Sequence, residues 1–119
     1  MQREMIATLA GEEITLAATF KAASEIATKI ADPMMITREI AVASMMEASG
    51  VTGYEPKWLY TIHNVPQILQ VGMRAAGDKR TLEQVQELAF AAGFYAARDV
   101  ATGYLTLIGR SRDLIISGG

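Results

Sequence analysis

The amino-acid sequence predicts a mainly α (α+β) domain: a short N-terminal β-hairpin followed by about four helices packed as a small bundle. Three observations carry that prediction. Apolar residues alternate before Thr19, then change to helical spacing from Phe20 onward. Helix start and stop residues recur along the chain: Thr19, Asp32-Pro33, Ser49-Gly50, Asn64-Val65-Pro66, Gly77 and Thr81. Half of the 119 residues are apolar, which suffices for one core and is too much for intrinsic disorder. The expected organisation is one helical domain over residues 1–110 and a C-terminal tail over 111–119.

The hairpin is read over Met5 to Thr19. Ile6/Thr8 and Ile14/Leu16 show partial period-two patterning, and Gly11-Glu12-Glu13 reads as a three-residue connection with a bulge. An isolated hairpin is marginal in water, so it must pack on the helices or on another chain. Phe20 to Ala31 is the first helix, with Phe20, Ala23, Ile26, Ala27 and Ile30 on one face. Thr19 is its N-cap, Glu25 and Lys29 form an i,i+4 pair, and Asp32-Pro33 ends it. Thr37 to Ala48 is the second helix, closed by Ser49-Gly50. Met34-Met35 and Met45-Met46 stand in and before it, and such pairs serve either as gap-filling core or as an adaptable binding surface.

Val51 to His63 is the least regular stretch. Gly53-Tyr54-Glu55-Pro56 reads as a turn, and Trp58, Leu59, Tyr60 and Ile62 form a dense apolar knot with the only Trp. That knot either plugs the edge of the core or anchors a partner. Asn64 is the expected N-cap of the third helix, with Pro66 in its first turn and Val65, Ile68, Leu69, Gly72, Met73 and Ala76 on one face. Gly77 stops it. Thr81-Leu82-Glu83-Gln84 matches a capping box and opens a last helix that runs to about Ile108. Gly93 and Gly103 weaken that helix and mark a kink or the close approach of a neighbour. In the tail, Leu114-Ile115-Ile116 is β-prone and reads as a frayed end, a docked strand or a partner contact.

Composition narrows the function. With no cysteine there is no disulfide scaffold, thiolate metal site or Cys nucleophile. A formal charge of -2 lacks the basic surplus of a dedicated nucleic-acid binder. The longest greasy run, Leu88 to Ala97, is about half of a membrane span, and Met1-Gln2-Arg3-Glu4 lacks the basic region of a signal peptide. A cytoplasmic protein is the simplest expectation. His63 is the single histidine, no glycine-rich phosphate loop or nucleophile elbow occurs, and Glu12-Glu13 reads as a solvated turn. Lys79-Arg80 and Arg110-x-Arg112 read as solvent-facing basic pairs. No enzyme and no cofactor are expected.

Three stretches in order carry a resemblance: Gly11 to Ala22, Ile68 to Gly77, and Thr81 to Val85. Together they resemble the small tail proteins of siphophages and gene transfer agents that are grouped with phage tail assembly chaperones. The likeness spans about Ile6 to Arg110, and Val51 to His63 with its Trp departs from it. It implies a non-enzymatic protein that transiently coats the long apolar helix of a tape-measure protein before tail tube subunits replace it. Some members are tail tube proteins, but a tube subunit needs a substantial sheet, so the accessory role is favoured. The partner-binding side chains implied are Met45, Met46, Trp58, Tyr60 and Met73. Two other readings stand beside it. One is a small ligand-binding or enzymatic module with Tyr54, Trp58, Tyr60 and His63 around a pocket. The other is a homo-oligomer joined through the Gly93/Gly103 side of the last helix.

Overall fold

Steric demands set the geometry of the first turn in the computed structural model, which describes residues 3–110. Strands β1 (Arg3–Leu9) and β2 (Glu12–Ala18) pair antiparallel from Arg3↔Ala18 to Leu9↔Glu12. Only Ala10 and Gly11 join them, both left-handed at φ 52 and 79°. This two-residue turn matches the right-handed twist of the strands, so it displaces the expected three-residue bulged connection. Glu12 and Glu13 are therefore exposed strand residues. Leu9, Ile14 and Leu16 enter the core, with Met5 and Ala7 packed against it, while Ile6 and Thr8 occupy the outer face.

Five helices follow the hairpin. In α1 (Phe20–Lys29), Thr19 Oγ1 accepts the Ala22 N–H at 3.0 Å and Lys29 pairs with Glu25 at 2.8 Å, as expected. The helix α2 (Pro33–Ala48) begins four positions before the predicted Thr37. The dipeptide Asp32-Pro33 ends one helix and starts the next. Proline suits the first turn because its missing N–H would be unpaired there, and Asp32 Oδ1 accepts the Met34 N–H at 2.8 Å.

At α3 (Asn64–Ala75) the predicted N-cap is displaced. Asn64 lies inside the helix, and Thr61 does the capping. Thr61 Oγ1 accepts the N–H groups of His63 and Asn64, and Asn64 Oδ1 accepts the Thr61 N–H. This is the reciprocal arrangement of a capping box. Thr81 and Gln84 form the predicted one at α4 (Leu82–Ala92).

The long last helix is two helices. Gly93 has φ 94° and ψ 132°, a region open to glycine but not to residues with a side chain, and α5 (Phe94–Gly109) starts beyond it. Nothing lies within 4 Å of a Cβ built at Gly93, so the backbone alone demands glycine. Gly93→Ala should cost about 1–3 kcal/mol of stability. A chemical denaturation midpoint equal to the parent's would refute this.

Seven of the twelve residues of α3 are buried, which makes it the central helix of the core. It packs on β2, α4, α5 and α1. Gly72 permits that approach: a Cβ there would sit 2.8 Å from both Leu16 Cδ2 and Tyr104 Cζ. The Tyr104 hydroxyl donates to the Ala17 carbonyl at 2.7 Å, tying α5 to β2 inside the core. Burial holds that hydroxyl protonated far above the ordinary phenol range. Glu25 joins α1 to α3 through Arg74. Among the described residues, no helix is long and apolar enough to cross a membrane. The predicted tail, with Leu114-Ile115-Ile116, lies outside the described residues.

Candidate partner-binding surface

The connection from α2 to α3 has little regular structure, yet it is fastened at both ends. Burial alternates along it: Tyr54, Pro56, Trp58 and Tyr60 turn toward the protein, while Glu55, Lys57 and Leu59 face outward. That period of two belongs to an extended chain. Glu39 of α2 is the one buried acid among the described residues, and its Oε1 accepts both the Lys57 N–H and the Tyr54 hydroxyl, each at 2.9 Å. At the far end, the hydroxyls of Tyr60 and Thr102 of α5 lie 2.7 Å apart. Trp58 stacks edge-on against Tyr60 with ring centroids 5.0 Å apart. The strap therefore crosses from α2 to α5 with its aromatic rings beneath it.

The bonds to Glu39 make the strap sensitive to acid. The Lys57 N–H, and then the Tyr54 hydroxyl, hold the Glu39 carboxyl below its ordinary 4.5. A lowered folded-state pKa means the contribution is complete above the unfolded value and lost as pH falls through the folded one. The Trp58 emission should therefore shift to the red below pH 4.5. Glu39→Gln, neutral at every pH, should remove that step. An unchanged step in the variant would assign it to another group.

Beside the strap an open trough of about 370 Å³ lies between α2 and α5. Glu39, Ile40, Ala43, Ser44 and Glu47 form one wall, Arg98, Asp99 and Thr102 the other, and Pro56, Trp58, Leu59 and Tyr60 line it between them, so apolar and charged groups alternate around it. A second shallow hollow adjoins it, bounded by Ile62, Val65, Phe94 and Tyr95, and the two share Tyr60 and Arg98. The Arg98 guanidinium lies 4.9 Å from the centre of the Tyr95 ring. Around this floor Leu59 is 62% exposed and Tyr95 77%. Phe90, also exposed, meets Phe94 edge-on across the Gly93 break.

The five implied partner-binding residues separate. Trp58 and Tyr60 come together on the trough. Met45 is exposed on α2 and Met46 half-buried, but neither lines the trough, whose α2 wall is the face of Ile40, Ala43, Ser44 and Glu47. Met73 is a correction: at 1% exposure it is buried in the core on α3 and cannot meet a partner. Its place on the apolar stripe of α3 already pointed inward. Leu59 and Ile62, already part of the apolar knot read from the sequence, join the surface, and Tyr95 and Arg98 complete it and were missed. The signal for Leu59 was its position opposite Trp58 and Tyr60 in the alternation. For Tyr95, no sequence signal precedes knowledge of the break at Gly93.

Two further sequence readings bear on chemistry. Arg80 pairs with Glu12 at 2.9 Å and lies 3.7 Å from Asp78, so that basic residue fastens the loop before α4 to the hairpin. His63 is exposed at the start of α3, while Tyr54 bonds to Glu39 on α2, so the two do not meet around one pocket with Trp58. Among the described residues, no group of three or more His, Asp or Glu side chains could hold a metal ion. Comparisons with known proteins find no family, no curated protein and no solved structure that matches this chain.

Proposed function

We propose that this chain is a phage-type tail assembly protein, a chaperone that reversibly holds an apolar stretch of tape-measure helix. The observation that carries this reading is the joined pair of hollows around Trp58, Tyr60, Leu59, Ile62 and Tyr95. Contiguous exposed apolar surface on a small domain marks an interaction site. Aromatic residues beside an arginine are the composition of interface anchors. A channel between two helices suits a helical partner that places apolar side chains at i, i+3 or i+4, and i+7. Shallow hollows on a preformed surface favour many modest contacts over one deep one, and such contacts release when tube subunits arrive.

The order of the three resembling stretches supplies the identity of the partner, and the surface supports only its chemistry. Co-expression with a fragment of a tape-measure protein should give a complex that co-purifies at micromolar concentration. Recovery of each protein alone under those conditions would defeat the proposal.

A further inference from the structure

The two joined hollows differ in charge. Three carboxylates, Glu39, Glu47 and Asp99, line the trough between α2 and α5 against one cation, Arg98, whereas Arg98 is the one charged residue lining the second hollow. The three carboxylates are not equivalent. Glu39 is buried, its Oε1 is engaged by the strap, and Lys57 and Arg38 stand near enough to act on its charge. Asp99 has Arg98 beside it on the same wall, Oδ1 to Nη2 at 3.6 Å. Glu47 is the unbalanced charge: it is exposed on the α2 wall, and no ion pair engages it among the described residues.

We propose that the trough selects an amphipathic helix carrying lysine or arginine beside its apolar stripe, with a basic side chain set against Glu47. The inference rests on the reading that this surface holds a helix, and adds the charge that the helix must bear. Two features of the trough favour a basic flank over an acidic one. A carboxylate at the rim attracts a cation and repels another carboxylate, and such rim charges choose between partners more than they raise affinity. Lysine and arginine also have long apolar stems. Such a stem can lie along Ile40 and Ala43 while its charged head reaches Glu47 in water, which the short stem of an acidic side chain does not allow. A second copy of this chain is the less suited occupant, because it brings the same acidic excess, a formal charge of -2.

Two synthetic helices of equal length and helicity test it against the full chain. Both carry leucine at i, i+3, i+4 and i+7; lysine flanks that stripe in one and glutamate in the other. In low salt, the lysine helix should bind at least about threefold more tightly by Trp58 emission, the scale that exposed charge pairs reach. The advantage should fade in about 1 M salt, where the screening length is about 3 Å. Glu47→Gln, a change at an exposed side chain, should keep the parent's melting temperature and reduce the preference at least about twofold. Equal affinity for the two helices, or a preference that Glu47→Gln leaves unchanged, would overturn the inference while the helix-binding reading stood. If neither helix bound, both would fall. A parent that sediments as a dimer and binds neither helix would give the trough to a second copy.

Discussion

Gly72→Val should lower stability by about 3 kcal/mol, at the upper end of what overpacking a filled core costs. The first added atom already sits 2.8 Å from Leu16 Cδ2 and from Tyr104 Cζ, and two more methyl groups follow it. Neither neighbour can move aside: Leu16 and Tyr104 are wholly buried, and the Tyr104 hydroxyl is held by the Ala17 carbonyl. Replacing a helical glycine recovers at most about 1 kcal/mol of backbone propensity, which does not offset the collision. For a domain of this length the loss corresponds to a melting temperature about 10 °C lower. A variant as stable as the parent would mean that α3 does not approach β2 and α5 as closely as described.

Tyr104 on the other side of that contact should be at least as costly to truncate. Tyr104→Ala removes the largest fully buried side chain of the core and leaves a cavity, a change that costs about 3–5 kcal/mol for an aromatic residue. Tyr104→Phe keeps the ring and deletes only the hydroxyl. It leaves the Ala17 carbonyl without that donor and should cost about 1–3 kcal/mol. The pair of variants separates packing from hydrogen bonding, and urea denaturation midpoints measure both. If Phe matched Tyr, the bond from α5 to β2 would contribute nothing.

These two residues also show where the sequence was readable. Gly72 and Met73 appear on the apolar stripe of α3, and Tyr104 on the stripe of the last helix, because burial follows helical spacing. Their mutual contact was not legible, since it depends on how α3 and α5 cross. Caps formed by local bonds were legible where the pattern was complete, as at Thr19 and at Thr81 with Gln84. At α3 the same logic pointed to Asn64, because Asn is itself a good cap. The competing pair of Thr61 with Asn64 won by satisfying three N–H groups at once. The hairpin connection and the break at Gly93 both turn on positive φ, and glycine in a sequence permits that conformation without requiring it.

The candidate surface was the least legible part. Trp58 and Tyr60 stood out as aromatic residues, but the more exposed side chains of the surface are Leu59, Ile62 and Tyr95, between and beyond them. Leu59 faces outward because Glu39, eighteen residues before Lys57, fixes the strap with its aromatic side turned in. Sequence spacing within Val51 to His63 does not reveal an anchor on a preceding helix.

The proposed reversible binding of an apolar helix at the trough between α2 and α5 is most directly tested by titrating the full chain with a synthetic tape-measure helix, reading Trp58 emission. The parent should saturate with a micromolar dissociation constant. Leu59→Asp, altering a side chain outside the core, should keep the parent's melting temperature and weaken binding at least tenfold, about 1.4 kcal/mol. An emission that does not change, or equal affinity in parent and variant, would contradict the account.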